Sequence, residues 1–177
     1  MWEALYLDLN WVLTGNFNKI LSNFIIILTI FLVDRISKVY IIKLSEIEGI
    51  VDIYLTPFLN FYLIWNKGIA FGLLSFNESY IYIIITSIII IISTIIMTMA
   101  IKSNGFKRLS LIIVFGGSIG NLFDRIYYSA VPDFIDFHIM GYHWFVFNIA
   151  DIFITMGIIC LILDEIFNDN KKNEFKN

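Results

Sequence analysis

The sequence has little charge: Asp, Glu, Lys and Arg together make up 15% of its 177 residues, while 59% are hydrophobic. The mean hydropathy is +0.82. Soluble domains carry about 25% charged residues, because their surfaces face water. This composition therefore excludes an ordinary soluble domain and indicates an integral membrane protein.

Thiols and basic clusters are also scarce. Cys160 is the single cysteine, which excludes an intrachain disulfide framework and a Cys-rich zinc site, because both need several thiols. The net charge is -3, and no run of Lys and Arg is longer than two residues. Binding to nucleic acid is therefore not expected, and membrane lipids are the expected surroundings.

Four apolar stretches predict four membrane helices, since a helix needs about 20 apolar residues to cross a bilayer. Only the second stretch is free of charged residues, so the other three helices must carry ionisable groups. The predicted helices cover residues 20–42, 79–101, 108–128 and 144–166.

The positions of Lys and Arg predict how these helices are oriented. The 102–108 connection and the tail, 167–177, each carry three basic residues, whereas the connection between the third and fourth helices has none. Basic connections stay in the cytoplasm. Both termini are therefore predicted to be cytoplasmic, with outer loops at 43–78 and 129–143.

The first outer loop is expected to contain some β-structure. Residues 51–66 are rich in β-branched and aromatic types and are interrupted by Pro57, which predicts two short strands. The predicted fold is an all-α membrane protein, a single domain of residues 1–177. It has four transmembrane helices and a small extracytoplasmic loop subdomain that contains β-strands.

Acidic residues recur at one depth in the predicted helices. At 1.5 Å of rise per residue, Asp34 and Asp151 lie roughly 20 Å, and Asp124 roughly 24 Å, from the cytoplasmic ends of their helices. Charge at membrane depth is costly, so such acids are functional candidates by default. Gly116 and Gly120 form a small-xxx-small pair near this level, which predicts close approach of a neighbouring helix.

Two of these acids have a basic residue close by in the sequence. Asp34 lies four residues before Lys38 on the same helix face, and Asp124 is followed directly by Arg125. For both pairs we expect a structural network of ion pairs and hydrogen bonds that braces a site.

Asp133 and Asp151 differ, because neither has a cation within four residues. Two uncompensated carboxylates at the same height predict a pair that shares one proton, one group acting as acid and the other as base towards water, as in aspartic peptidases. Pro132 fixes its own φ and holds Val131 extended. Asp133 is therefore predicted to lie on a constrained turn where the third helix ends.

Three other classes of protein remain open on the residues alone. A small proton-coupled transporter also places acids in membrane helices, although it needs a polar path to both faces, and the inner half of these helices is almost without polar groups. A metalloprotease would use His138 and His143 with the aspartates, but the sequence has no His-Glu-x-x-His motif. A non-catalytic membrane assembly protein would use the acids for structure only.

Five short motifs occur in an order that is typical of one enzyme family. They are Asp34-x-x-x-Lys38, Asn66-x-Gly68-x-Ala70-Phe71, Gly117-x-x-Gly120-Asn121-x-x-Asp124-Arg125, Val131-x-Asp133-Phe134 and Phe147-Asn148-x-Ala150-Asp151. Over about residues 20–165 the chain resembles the lipoprotein signal peptidases, the bacterial signal peptidase II family. The last three motifs are specific in combination, although each alone is weak.

The resemblance implies that Asp133 and Asp151 are the catalytic aspartates of a membrane endopeptidase. It also implies the substrate, a diacylglyceryl-modified prolipoprotein whose signal peptide is removed just before the lipidated cysteine. The remaining motif positions are expected to support the site or bind substrate: Asp34, Lys38, Asn66, Gly68, Gly120, Asn121, Asp124, Arg125, Asn148 and Ala150.

The same resemblance implies the setting of the enzyme. We expect a monomer in the bacterial cytoplasmic (inner) membrane, with its active site near the outer face and with neither a metal nor a cofactor. Residues 1–18 depart from the family pattern, since this segment is longer than is usual in the family, and we expect an interfacial helix there or a wrongly assigned start.

Overall fold

The computed structural model describes the backbone of residues 2–68 and 79–174, and the side chains of residues 17–68 and 80–168. Most of the described chain is helical. The helices are α1 (Trp2–Glu48), α2 (Ser79–Lys102), α3 (Gly105–Tyr128) and α4 (Ile149–Glu174).

Among the described residues, two helices are long and apolar enough to cross a membrane, by length and composition. They are Tyr80–Lys102 and Gly105–Tyr128. The first three predicted membrane segments are helical throughout, and the fourth is helical from Ile149 onwards, but α1 and α4 also carry ionisable residues. That these two helices cross the bilayer as well stays a prediction.

The third helix, α3, is the centre of the helical layer, since it packs against α1, α2 and α4. Glycines allow this close packing. A Cβ atom at Gly116 would lie 3.0 Å from Ile30 of α1, and one at Gly117 would lie 2.6 Å from the carbonyl oxygen of Ala150. The predicted close approach of neighbouring helices is confirmed, and it involves helices on two sides of α3.

A small antiparallel sheet accounts for the rest of the fold, and its strands follow one another in the order β1-β2-β3-β4. Strands β2 and β3 are neighbours although α2 and α3 separate them in the sequence. The strands are β1 (Asp52–Thr56), β2 (Leu59–Asn66), β3 (Val131–Ile139) and β4 (Tyr142–Phe147).

The sheet is attached to the helices by an apolar cluster at the C-terminal end of α1. Ile41 of α1 packs there with Val51, Phe134 and Ile135, all of them buried. Burial of this cluster fixes β3 relative to α1, which places Asp133 of the sheet beside the polar residues of the helices.

Several sequence-based boundaries need correction. The first helix covers Trp2–Glu48 instead of 20–42, so residues 2–18 continue it and the first loop starts later than residue 43. The expected tail, 167–177, is helical as far as Glu174, because α4 continues without a break.

The loop at 129–143 is largely β-structure. Strand β4 runs to Phe147, so the last helix begins at Ile149 and not at residue 144. The reason is that the aromatic and β-branched residues of Tyr142–Phe147 pair with β3, which is the environment that such residues favour.

Asp133 lies within β3 and not on a turn. Helix α3 ends at Tyr128 and is capped by Ser129, whose φ of 55° is left-handed, and the extended chain starts at Val131. Pro132, with its fixed φ, is compatible with the first residues of a strand. The two strands expected within 51–66 are confirmed as β1 and β2, while residues 69–71 of the second motif lie outside the described residues.

Candidate active site

The first turn of α4 is closed by a reciprocal pair of hydrogen bonds. The backbone N–H of Asp151 donates to Oδ1 of Asn148 (3.1 Å), and the backbone N–H of Asn148 donates to Oδ2 of Asp151 (3.2 Å). This is the arrangement of a capping box, which satisfies backbone donors that have no partner inside the helix. The motif that contains Asp151 therefore starts the helix and fixes the direction of this carboxylate at the same time.

Asp133 is held from two sides by side-chain amides. Asn66 of β2 donates from Nδ2 to its Oδ2 (2.8 Å), and Asn148 donates from Nδ2 to its Oδ1 (2.6 Å). Asn148 thus contacts both Asp133 and Asp151. Asn148 therefore connects Asp133 of β3 with Asp151 of α4, which are 18 residues apart in the sequence.

Asp133 and Asp151 line one cavity of about 320 Å³. Burial raises the pKa of Asp133 to about 7, and the neighbouring charge of Asp151 adds to the rise. The hydrogen bonds from Asn66 and Asn148 act in the opposite direction, because they stabilise the carboxylate. At neutral pH the pair can therefore retain a proton, which is the requirement for one acid and one base in the same site.

Asn121 of α3 connects the aspartates to a second polar cluster. Its Nδ2 donates to Oδ1 of Asp151 (2.8 Å), while its Oδ1 accepts a hydrogen bond from Nζ of Lys38 (2.9 Å). With both ends of its amide used, this side chain has one orientation in the site. It holds Asp151 from the α3 side.

Lys38 is fully buried, and all three of its donor positions are used. Besides Asn121, its Nζ contacts Oδ2 of Asp34 (2.8 Å) and Oδ2 of Asp124 (2.6 Å). An ammonium group has three donors, so its charge is compensated and its hydrogen bonds are complete. The predicted pairing of Asp34 with Lys38 is confirmed.

Asp34 extends this cluster to α4. Its Oδ1 accepts a hydrogen bond from the backbone N–H of Ala150 (2.9 Å). A Cβ atom at Gly120 would lie 2.7 Å from the other oxygen, Oδ2 of Asp34. Glycine at position 120 thus leaves room for the carboxylate that joins α1 to the first turn of α4.

Asp124 and Arg125 both form the expected kind of bracing contact, but with other residues and not with each other. Asp124 pairs with Arg35 and Lys38 of α1, and Arg125 instead donates from Nη2 to the carbonyl oxygen of Gly68. Consecutive residues on a helix do not face each other, so Asp124 points to α1 while Arg125 points to the sheet.

Two contributors were not singled out from the sequence. Arg35 of α1 pairs with Asp124, and its position beside Asp34 in the sequence is the signal that could have marked it. Tyr82 of α2 donates from its hydroxyl to the carbonyl oxygen of Arg125 (2.9 Å), and the Arg125 guanidinium lies 5.6 Å from its ring. A tyrosine at the end of an apolar helix gives no comparable signal.

All the site residues singled out from the sequence lie in one connected set. Gly68 completes it, because its backbone N–H donates to Oδ1 of Asn66 (2.8 Å) while its carbonyl oxygen binds Arg125. His138 and His143 do not line the cavity of the two aspartates. Among the described residues, the combination of histidines and dyad that a metalloprotease would need is therefore not formed.

The chain was compared with known proteins. A family model described as Signal peptidase (SPase) II matches residues 26–167. The chain is 54% identical to the lipoprotein signal peptidase of Pelagibacter ubique (strain HTCC1062) over 162 residues, which is 92% of this chain and 98% of that protein. It is 36% identical to the lipoprotein signal peptidase of Anaplasma phagocytophilum (strain HZ) over 158 residues, 88% of this chain and 98% of that protein.

Solved structures give a similar picture. One described as "Bacterial membrane enzyme structure by the in meso method at 2.3 A resolution" has a TM-score of 0.67 and 28% identity, and the match covers 85% of this chain and 91% of that chain. A second, described in the same words at 1.9 A resolution, has a TM-score of 0.65 and 31% identity, with 81% and 91% covered.

Proposed function

Because the chain belongs to the signal peptidase II family and removes signal peptides from prolipoproteins as a peptidase of bacterial membranes, we propose that Asp133 and Asp151 are its catalytic pair. Membership of this peptidase family decides against the two alternatives of a transporter and a non-catalytic assembly protein. The observation that carries the assignment of residues is the shared cavity of the two carboxylates, with Asn148 bonded to both.

The proposed reaction uses one proton between two carboxyl groups. A water molecule between them gives a proton to the ionised carboxylate and attacks the scissile carbonyl carbon, while the protonated carboxyl group donates its proton to the carbonyl oxygen. The tetrahedral intermediate then collapses, the C–N bond breaks, and the leaving amine takes up a proton. Because the pKa of Asp133 is about 7, one carboxyl group of the pair can be protonated at neutral pH, as this reaction requires.

The substrate is proposed to approach from the bilayer. Apolar side chains of α2 and α4 line the cavity next to the aspartates, among them Ile89, Ile92 and Ile154. This lining suits an apolar signal peptide that enters sideways between the two helices. A second apolar groove of about 440 Å³, along β4 and α4, also reaches Asp151, and we assign it to the acyl chains of the diacylglyceryl group.

The proposed setting follows from orientation and charge. All four helices span the inner membrane, the termini are cytoplasmic, and the sheet with Asp133 lies at the outer face. The enzyme is proposed to act as a monomer surrounded by lipid. Exposed isoleucines along α2, such as Ile84, Ile88 and Ile91, support a lipid-facing surface.

The test of the proposed activity is a cleavage assay. Purified protein in detergent or lipid is incubated with a diacylated prolipoprotein and with its unacylated form. Cleavage just before the lipidated cysteine of the diacylated form is expected, with little cleavage of the other. Equal cleavage of both forms would contradict the proposed substrate class, and cleavage of neither would contradict the activity.

The same assay tests the catalytic pair. Asp133→Asn or Asp151→Asn is nearly isosteric, so the protein stays folded, but loss of proton transfer lowers the cleavage rate by at least about 10²- to 10⁴-fold. The double variant is little slower than either single variant, since the two groups act as one unit. Asp164→Asn, the same change 13 residues after Asp151 on α4, is the control and retains cleavage.

A further inference from the structure

Both histidines of the chain lie together at one end of the sheet, away from the aspartate pair. His138 of β3 and His143 of β4 are directly opposite each other in the strand register, and their ring centroids are 5.5 Å apart. Asp136 precedes His138 by two residues on the same strand. The proposed peptidase reaction uses none of these three side chains.

The distances among the three side chains suit a common ligand. One potential donor atom from each lies within 4.8 Å of the others. Oδ2 of Asp136 is 2.7 Å from Nδ1 of His143 and 3.5 Å from Nδ1 of His138. Tetrahedral bonds of about 2.1 Å to a metal ion would place two ligand atoms roughly 3.4 Å apart. The pair of Asp136 with His138 already has this spacing, while the hydrogen bond between Asp136 and His143 would have to open by about 0.7 Å to admit the ion.

Several polar atoms of this cluster are buried without a hydrogen-bond partner among the described residues. They include Oδ1 of Asp136 and Nδ1 of His138, and these two residues are 0% and 9% exposed. Oδ1 of Asn60, which lies opposite Asp136 on β2, is also buried without a hydrogen-bond partner among the described residues. Buried polar atoms are nearly always satisfied in native proteins, by protein groups, water or a ligand, so three such atoms beside one cavity leave places for a bound ligand or for water.

The cluster borders a cavity of about 560 Å³ whose lining has an acidic character. Asp52 and Asp136 both line this cavity, and within the part of the chain that the structure describes no Lys or Arg does so. His143, with 60% of its side chain accessible, gives the site an opening to solvent. The surroundings therefore favour a cation that enters from the aqueous side.

From these observations we propose that Asp136, His138 and His143 bind one divalent transition-metal ion of the zinc class. Two imidazoles and one carboxylate are a ligand set that suits such ions, and it leaves a fourth position for water. His138 and His143 flank the turn at Met140 and Gly141, so the ion would join the two strands of this hairpin. This proposal departs from the sequence-based expectation that the chain holds no metal.

The proposed metal site is separate from the proposed catalytic site. No described residue lines both the cavity of Asp136 and that of the aspartate pair. The ion is therefore assigned to stabilisation of the hairpin and not to peptide cleavage. The proposal does not depend on the peptidase assignment, and the two can fail independently.

The test is metal binding by the full chain, purified with an affinity tag that contains no histidine and treated with a chelator. Cobalt(II) is titrated while its visible d–d absorption is recorded, and zinc(II) is then added as competitor. One cobalt ion per chain is expected, displaced by one zinc ion, together with an unfolding temperature that rises with zinc concentration. His138→Ala, His143→Ala and Asp136→Asn each weaken binding by at least about 10-fold.

Two controls separate this site from other effects. Asp164→Asn, an acidic residue on α4, and Asp133→Asn, three residues before Asp136, bind the metal like the unchanged chain. Chelator-treated protein cleaves prolipoprotein at the untreated rate. Absence of a stoichiometric cobalt spectrum in the folded chain, or unchanged binding after both histidine substitutions, overturns the proposal, and loss of cleavage on chelation overturns the separation of the two sites.

Discussion

A single side chain, Asn148, connects the two proposed catalytic residues. It donates to Asp133 with its amide nitrogen, and it accepts from the backbone of Asp151 with its amide oxygen. Both ends of one amide are thus used to set the relative positions of two carboxyl groups. Aspartate at position 148 would have no donor for Asp133, so the site requires an amide there.

The pKa of Asp133 leads to a prediction about pH. Because this pKa is about 7, a rise in pH through neutrality removes the proton that the pair shares. Both groups are then ionised and no acid remains, so kcat/KM falls on the alkaline side. A profile that stays flat through neutral pH in the folded enzyme would contradict a shared proton.

Asn66→Ala sharpens this prediction. Asn66 donates to the carboxylate of Asp133 and thereby favours the ionised form. Its removal raises the pKa of Asp133 further, so the alkaline limb of the kcat/KM profile moves to higher pH. Asn66→Gln, which keeps an amide donor, is the matched comparison and shifts the limb less; a shift of the Ala variant to lower pH would rule out this role of Asn66.

At the scale of elements, Asp124 joins α1 to α3. Asp124→Ala leaves Lys38 and Arg35 without this carboxylate in a buried setting, at a cost of about 3–5 kcal/mol. We expect a lower unfolding temperature in detergent and loss of cleavage, while Asp164→Ala changes neither. If Asp124→Ala were fully stable and inactive, Asp124 would belong to the catalytic set.

At Gly117 of α3, the backbone of α4 lies close to the helix surface. In an isolated helix, replacement of glycine by alanine stabilises by about 1 kcal/mol. Here the new Cβ would lie 2.6 Å from the carbonyl oxygen of Ala150, and Gly117→Ala therefore destabilises by about 1–3 kcal/mol. The sign of the stability change is measured by thermal unfolding, with Ser87→Ala on the exposed side of α2 as the control. A Gly117→Ala variant that is more stable than the unchanged chain would contradict the close contact.

The elements could be predicted from the sequence to different extents. The apolar stretches mark the helices because lipid admits few polar side chains, and polar residues within them mark the site because charge at that depth is costly. Strand β3 lies in the predicted outer loop 129–143, and most of β4 lies in the predicted fourth helix. On one side β3 pairs with β2, more than 60 residues earlier, and such a non-local pairing leaves no local pattern.

The same limit applies to individual contacts. The pair of Asp34 with Lys38 follows from helical spacing, whereas the partners of Asp124 and Arg125 depend on which helix lies beside α3. The capping box of Asn148 and Asp151 is readable from their spacing of three residues. The hydrogen bond from Asn148 to Asp133 cannot be read from the sequence, because it depends on how the sheet places β3 beside α4.

For the whole molecule, the proposed orientation is testable by labelling. In a chain with Cys160→Ser, a cysteine is placed at Met140, which is 98% exposed at the β3–β4 turn. It is expected to react with a membrane-impermeant thiol reagent applied to the outer face of the membrane. A cysteine at Asn104, in the connection between α2 and α3, is expected not to react.

Reaction of the Asn104 cysteine alone would invert the proposed topology. The aspartate pair would then face the cytoplasm, on the wrong side for the processing of exported lipoproteins. Labelling after the membrane is permeabilised is the control, since both positions must then react.

The hydrogen bond between Ala150 and Asp34 has a consequence for how the enzyme comes into being. It joins residues 116 positions apart, and a ribosome delivers them in that order. Asp34 and Lys38 are made long before their partners on α3 and α4 have been translated. A nascent chain has both aspartates of the proposed pair only once the first turn of α4 has been made, so with this pair the peptidase remains inactive until then.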